Sequence, residues 1–222
     1  MNTPANEPTG TPAASSTNNA GGKQPALSIE RIAVSEMDNQ CYFLIDGDEA
    51  LLIDAAADAD ALLATAARHG ARITMVLTTH SHWDHVRALK TVLEQTGATH
   101  AAAALDAPDL PAPVDIALEH GDTLTWHGHS FPIAVLRGHT TGGAALAAQV
   151  SGTWHLFVGD SLFPGGVGKT EDRAAFDQLL DDVTARLVQV YPDSAIVHPG
   201  HGEPTTLGAE RPQLGQWRSR GW

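Results

Sequence analysis

Cysteine, aromatic residues and basic residues are all scarce in this sequence, and each shortage excludes something. One Cys among 222 residues excludes an intrachain disulfide framework and a cysteine-rich zinc cluster, and it fits a reducing compartment. Aromatic residues make up 5% of the chain, so the core must be built mainly from Ala, Val, Leu and Ile. The 13 Lys and Arg stand against 26 Asp and Glu, and this net charge of −13 disfavours nucleic acids and anionic membranes as partners.

Long hydrophobic runs are missing as well. No stretch reaches the roughly 18 apolar residues of a membrane span. The N-terminus does not show a basic start followed by an apolar run, which is the pattern of a secretory signal. We therefore predict a cytoplasmic protein without membrane partners, and the sequence leaves its oligomeric state open.

The chain divides into a polar N-terminal tail and one folded domain. Residues 1–26 hold almost no large apolar side chain, which predicts a disordered tail. Residues 27–222 contain two series of strand-like apolar runs, each followed by helical patterns, the clearest at 58–69, 86–95 and 172–190. This order suggests an α+β fold of four layers, an αββα sandwich in which two mixed sheets pack face to face with helices outside.

Histidine is the residue that the sequence has in excess, with 12 copies. His80, His82, Asp84 and His85 fall within six residues, between a predicted buried strand and a predicted helix. Packed imidazoles lose hydration and repel one another when protonated, whereas a metal ion removes both costs. Neutral imidazole and carboxylate are ligands of zinc, iron and manganese. We expect His80 and His82 to face one ion, and Asp84 and His85 to face a second.

Three further candidate ligands lie on glycine-containing loops after predicted strands: His139, Asp160 and His201. Glycine beside a ligand permits the close backbone approach that a crowded centre requires. Seven ligands suit two ions that share one bridge. We predict the first site from His80, His82 and His139, the second from Asp84, His85 and His201, and Asp160 as the bridge.

Four motifs make the sequence resemble the metallo-β-lactamase superfamily: H-x-H-x-D-H at 80–85, G-H-T-x-G at 138–142, G-D at 159–160 and P-G-H-G at 199–202. The resemblance covers nearly everything from residue 27 onward and implies the αββα fold. Members that hydrolyse β-lactams usually lack the bridging Asp, which is present here. The segment 159–170 is similar to that of glyoxalase II-like hydrolases, in which a basic residue, here Lys169, can contact a substrate carboxylate.

The resemblance implies a dinuclear hydrolase with two Zn²⁺ per chain, or Fe or Mn in their place. A metal-bridging hydroxide would attack the acyl carbonyl of a small thioester or ester, with Asp84 and Asp160 as catalytic residues. Glyoxalase II carries a further C-terminal glutathione-binding domain, for which the residues after His201 leave no room, so another small thiol stays open. Lactone, β-lactam or phosphodiester hydrolysis and a mononuclear iron persulfide dioxygenase are the alternatives. We also expect Trp83 to pack beneath the metal-binding loop, with a place in the wall of the pocket as the alternative.

Overall fold

Two six-stranded sheets form the body of the protein, in a computed structural model that describes residues 27–221. The predicted tail at 1–26 lies outside the described residues. In the first sheet the strands lie in chain order, antiparallel from β1 to β3 and parallel from β3 to β6. The strands are β1 (Ser28–Val34), β2 (Asn39–Asp46), β3 (Glu49–Ile53), β4 (Arg72–Thr78), β5 (Thr99–Ala103) and β6 (Ile116–Leu118).

Eight strands follow, and six of them form the second sheet. The eight are β7 (Thr123–Trp126), β8 (His129–Leu136), β9 (Gly143–Val150), β10 (Thr153–Gly159), β11 (Leu162–Phe163), β12 (Gly166–Val167), β13 (Ile196–Pro199) and β14 (Thr205–Thr206). The sheet order is β14-β13-β10-β9-β8-β7, and β11 and β12 form a separate small hairpin. Only β10 and β13 pair in parallel within this sheet.

Five α-helices cover the sheets: α1 (Ala59–Arg68), α2 (Leu89–Thr96), α3 (Arg173–Val183), α4 (Leu207–Glu210) and α5 (Leu214–Arg220). Side chains that accept a hydrogen bond from the first turn begin three of them, Asp58 at α1, Asp172 at α3 and Thr206 at α4. Gly97, with a φ of +67°, ends α2 in the left-handed conformation that favours glycine.

Three hydrophobic cores separate four layers, which confirms the predicted αββα architecture. Successive strand residues point to opposite faces, so Phe43 packs under α1 and α2 while Leu44 faces the other sheet. The inner faces of both sheets share one core, in which Leu44 and Phe157 are fully buried. The outer face of the second sheet packs against α3 and α5 through Phe176 and Trp217.

The structure differs from the predicted elements in two helices. The helix predicted at 86–95 begins at Leu89, because Trp83–His85 first forms a separate 3₁₀ turn. The helix predicted at 172–190 leaves α-helical geometry after Val183 and continues as a π-helical turn over Thr184–Val188. Within residues 27–221, no helix is long and apolar enough to cross a membrane.

Candidate metal centre

Four strands end at one edge of the sandwich, and each precedes candidate ligands. β4 of the first sheet leads into residues 80–85, while β8, β10 and β13 of the second lead into His139, Asp160 and His201. These last three strands run in the same direction, because β8 and β10 both pair antiparallel with β9 and β13 pairs parallel with β10. The fold therefore brings together residues that are far apart in the sequence.

His80, His82 and His139 form the first group. One ring nitrogen of each lies within 4.8 Å of those of the other two. The ring centroids are 4.9 Å apart for His80 and His82, 5.0 Å for His80 and His139, and 4.5 Å for His82 and His139, all edge to face. Rings arranged in this way do not stack, and their nitrogens can converge on one ion.

Asp84, His85 and His201 form the second group, with ligand atoms again within 4.8 Å of one another. The Nε2 atoms of His85 and His201 face each other at 3.0 Å. Asp84 Oδ2 lies 3.6 Å from His85 Nε2 and 3.3 Å from His201 Nε2. This is the grouping expected for the second site.

Asp160 lies between the two groups. Its Oδ2 is 3.6 Å from His139 Nε2 in the first group and 3.4 Å from His201 Nε2 in the second. Its Oδ1 is 3.4 Å from His85 Nε2. One carboxylate thus reaches both groups, which is the position that a bridging ligand requires.

Hydrogen bonds at Nδ1 orient three of these histidines. His139 Nδ1 donates to the carbonyl of Lys169 at 2.6 Å, and His201 Nδ1 donates to the carbonyl of Met37 at 2.8 Å. The hydroxyl of Thr79 donates to Asp54, so it accepts from His80 Nδ1, 3.0 Å away. In each neutral ring the proton is therefore on Nδ1, and Nε2 presents its lone pair to the centre.

Unpaired buried atoms show that these residues fit a metal ion. His80 Nε2, His139 Nε2 and Asp160 Oδ1 are buried and make no hydrogen bond with any residue in 27–221. Each such atom costs about 1–3 kcal/mol when it is left unpaired. Burial lowers the pKa of His80 and of His139, which keeps both rings in the neutral form that binds a cation.

Neighbouring carboxylates favour the protonated forms of the two histidines in the second group. Burial opposes a charge on His85, but interactions with Asp160 and Asp54 outweigh it and raise the pKa of His85 to about 10. Asp160 likewise raises the pKa of His201. Burial disfavours ionised Asp160, yet His201 and His85 hold the pKa of this carboxyl well below its usual range. A metal ion bound here therefore competes with a proton at His85.

Glycine 200 lets the backbone pass close to the centre. A Cβ atom at this position would overlap Asp160 Oδ1 and lie 2.7 Å from His85 Cε1. Gly200 is the first glycine of the P-G-H-G motif, and the absence of a side chain there leaves room for Asp160 and His85.

Sequence reasoning missed the buried residues that orient the ligands. Asp54, which follows β3, accepts hydrogen bonds from the Thr79 N–H and hydroxyl at 2.7 Å each and from His85 Nδ1 at 2.9 Å. Asn39 donates to Asp84 Oδ2 at 3.0 Å. The available signal at position 54 is a carboxylate that directly follows the apolar run Ala50–Ile53 and therefore enters the core.

Two predicted neighbours of the ligands have other surroundings. The packing expected for Trp83 is wrong, because 62% of this residue is exposed and Arg87 lies over its ring at 5.0 Å. The 3₁₀ turn directs Asp84 and His85 inward and therefore leaves Trp83 outside. Lys169 is exposed and lines a cavity that also reaches His139 and Asp160.

An ion pair outside the centre holds the loop that carries His139. Asp182 on α3 is 4% exposed and accepts three hydrogen bonds from Arg137, from the backbone N–H at 3.1 Å, from Nε at 2.8 Å and from Nη2 at 2.9 Å. Burial disfavours the charge of Asp182, but these hydrogen bonds from Arg137 lower its pKa.

We expect Asp182→Ala to lower the free energy of unfolding by about 3 kcal/mol at pH 7, because it leaves Arg137 without its partner. The pKa of Asp182 is lower in the folded state, so the stabilisation is present above the ordinary pKa of about 4 and is lost as the pH falls through the folded value. Urea denaturation at pH 7 and at about pH 3 measures both effects. Asp177→Ala, which removes a half-buried carboxylate of the same helix, serves as the control. An equal loss at both pH values would contradict the assignment.

Together the fold and the site define an αββα protein whose strand ends gather His and Asp residues that could hold two metal ions. The chain belongs to the metallo-beta-lactamase superfamily, whose family model matches residues 35–201. This match confirms the family that the four motifs indicated.

Curated relatives include hydroxyacylglutathione hydrolases. The protein of that name from Cereibacter sphaeroides is 36% identical over 146 residues, which cover 64% of this chain and 56% of that protein. Hydroxyacylglutathione hydrolase GloC from Haemophilus influenzae is 27% identical over 205 residues, or 83% of this chain and 95% of that protein. The chain thus spans little more than half the length of the first relative and nearly all of the second.

Solved structures with the same fold include TTHA1623 in a di-iron-bound form, with a TM-score of 0.70 and 29% identity over 82% of this chain and 96% of that one. ETHE1 from Myxococcus xanthus has a TM-score of 0.74 and 25% identity over 86% of this chain and 85% of that one. These similarities agree with the layers and sheet arrangement described above.

Proposed function

We propose that this protein is a metal-dependent hydrolase that cleaves a small thioester or ester at its acyl carbonyl. The observation that carries the proposal is the position of Asp160 within 3.6 Å of ligand atoms from both groups. The seven residues that would hold two ions are His80, His82, Asp84, His85, His139, Asp160 and His201.

Two divalent ions held by these residues would supply a water with a pKa of about 7 and would polarise an acyl carbonyl. The residues of the chain prepare this chemistry. The imidazoles of the first group contribute lone pairs without charge, while Asp84 and Asp160 contribute negative charges that offset part of the charge of the ions. Asp54 and the carbonyl groups of Lys169 and Met37 fix the rings, so little rearrangement is needed on binding.

Nucleophilic catalysis by the single cysteine has no support. Cys41 is fully buried in the core between the first sheet and its helices. Burial raises the pKa of its thiol to about 12, so the reactive thiolate is not formed near neutral pH. An activated water therefore fits the site better than a covalent acyl-enzyme.

The names of the relatives and the position of Lys169 support a thioester with a carboxylate as the substrate class. The relatives are named for hydrolysis of hydroxyacylglutathione, which is a thioester. We extend thioester hydrolysis to this chain, with Lys169 beside the centre as a contact for a carboxylate of the substrate.

Metal content and thioester hydrolysis, measured on the same fresh preparation, test the proposal. We expect about two zinc, iron or manganese ions per chain and hydrolysis of S-lactoylglutathione with a kcat/KM on the order of 10⁴ M⁻¹s⁻¹ or more. A chelator should abolish turnover, and added zinc should restore it.

The other outcomes separate the alternatives. Two ions with hydrolysis of lactones or β-lactams, and no thioester cleavage, would keep the hydrolase class and replace the substrate. A single iron with oxygen uptake on a persulfide would overturn hydrolysis in favour of a dioxygenase, which would use His139, one histidine of the pair at 80 and 82, and Asp160.

A further inference from the structure

Two cavities of different character meet at His139. The larger cavity has a volume of about 520 Å³ and reaches both His139 and Asp160. Its other walls are aromatic and basic, and they include Phe163, Lys169, Phe176, Trp217 and Arg220. The second cavity, of about 440 Å³, is lined by His82, His139, Ser81, Thr140, Thr141 and Glu171. The first therefore contains two cations beside the carboxylate of Asp160, whereas the second is polar with one carboxylate and no Lys or Arg.

Both cations of the larger cavity are without a carboxylate partner among residues 27–221. Most of the other basic side chains in this part of the chain form ion pairs, including Arg137, Arg211 and Arg218. The nearby carboxylate of Glu210 is buried and already accepts from the Gly165 N–H at 3.0 Å and from Thr205 at 2.6 Å. Lys169 and Arg220 are thus available to an anion from outside.

The fold holds Arg220 in this wall through α5. Trp217 of that helix is 2% exposed and packs in the core of the second sheet. Arg218 pairs with Asp181 on α3, and Arg173 donates from Nη2 to the Arg218 carbonyl at 2.9 Å. Arg220 Nη2 lies close to the start of β12, 3.7 Å from the position of a Cβ at Gly166. The guanidinium therefore faces the cavity from a docked helix.

We propose that the two cavities divide the substrate, with the thiol half of the thioester in the larger one and the acyl half in the smaller one. Lys169 and Arg220 bind carboxylates of the thiol half, and Arg220 is a specificity-determining residue. This inference rests on the proposed thioester hydrolysis.

The charges of the two cavities fix this orientation. A guanidinium matches the two oxygens of a carboxylate, and an ammonium adds a second point of attraction. In the other cavity Glu171 repels an anion, whereas the hydroxyls of Ser81, Thr140 and Thr141 suit a neutral hydroxyacyl group. The scissile carbonyl then lies near His139, where the cavities join.

Thioesters that share one acyl group test the division. S-lactoylglutathione has two carboxylates in its thiol half, and S-lactoyl-N-acetylcysteamine has none. We expect Arg220→Gln to raise KM for the first about tenfold and to leave kcat/KM for the second unchanged within about twofold. Lys169→Gln should act in the same way. The control is Arg68→Gln, which removes an exposed cation without an ion pair on α1, outside both cavities.

Two results for Arg220→Gln would contradict the division of the substrate. An equal decrease in kcat/KM for both thioesters would show that Arg220 only maintains the helix, and an unchanged KM for S-lactoylglutathione would show that it does not contact the substrate. Either result would overturn the inference but leave the proposed function intact. If the wild-type protein hydrolysed neither thioester, the proposed function itself would be overturned.

A binding measurement separates recognition from catalysis. S-methylglutathione keeps both carboxylates, and its blocked sulfur has no thiolate to bind a metal. Calorimetry should show binding that is about tenfold weaker in Arg220→Gln than in wild type and that weakens with added salt, as expected for exposed charges. Equal affinity in the two proteins would contradict the role of Arg220.

Discussion

Asp160→Asn should lower kcat about 1,000-fold and reduce the metal content from two ions per chain to about one. Asparagine keeps the volume of the side chain but lacks the charge that both groups of candidate ligands share through Asp160. His139 and His201 keep their own hydrogen bonds to backbone carbonyls, so the fold should persist. Elemental analysis and steady-state kinetics measure the two effects, and circular dichroism verifies the fold.

Asp193→Asn provides the matched control for this variant. Asp193 is also an aspartate with a cationic partner, Arg211, but its side chain is 67% exposed and is no candidate ligand. This control should keep full metal content and turnover. Two ions and wild-type turnover in Asp160→Asn would show that the carboxylate does not bridge the groups.

Gly200→Ala should reduce kcat/KM at least 100-fold by adding a single methyl group. The new Cβ would overlap Asp160 Oδ1 and crowd His85, and these are the residues that connect the second group to the bridge. A displacement of about 1 Å is enough to disturb a catalytic geometry to this extent. The metal of the second group should be lost in preference to that of the first, which zinc titration with competing chelators would resolve.

Gly215→Ala adds the same methyl group without the crowding. Gly215 lies in α5 with open space at its Cβ, so this substitution should leave activity and metal content unchanged. If Gly200→Ala retained wild-type affinity for both ions, the close packing of Gly200 against Asp160 and His85 would not matter for the centre.

The convergence of the candidate ligands was predictable because short motifs carry them. The segment from His80 to His85 concentrates four of them after one buried strand, and glycines mark the loops of the other three. The four-layer fold was predictable in outline from the alternation of apolar runs and helices. The four layers are confirmed by three separate hydrophobic cores. Each core combines residues from distant segments, so no single segment of the sequence reveals it.

The supporting residues were not predictable, since their role depends on contacts between distant segments. Asp54 and His85 are 31 positions apart, and Asn39 and Asp84 are 45 apart. In the sequence, Asp54 and Asn39 look like ordinary polar residues next to or within a strand. Nothing near them in the sequence indicates which distant ligand they contact. The exposure of Trp83 has the same origin, because a single 3₁₀ turn decides which side of the segment faces the interior.

The candidate centre draws residues 80–85 from the first sheet and His139, Asp160 and His201 from the second. Any ion held by both sets would be a cross-link between the two halves of the sandwich. Binding would then be linked to folding, since free metal at 100 times its dissociation constant stabilises the native state by about 2.7 kcal/mol. The supply of metal in the cell would accordingly govern the lifetime of the folded protein as well as its activity.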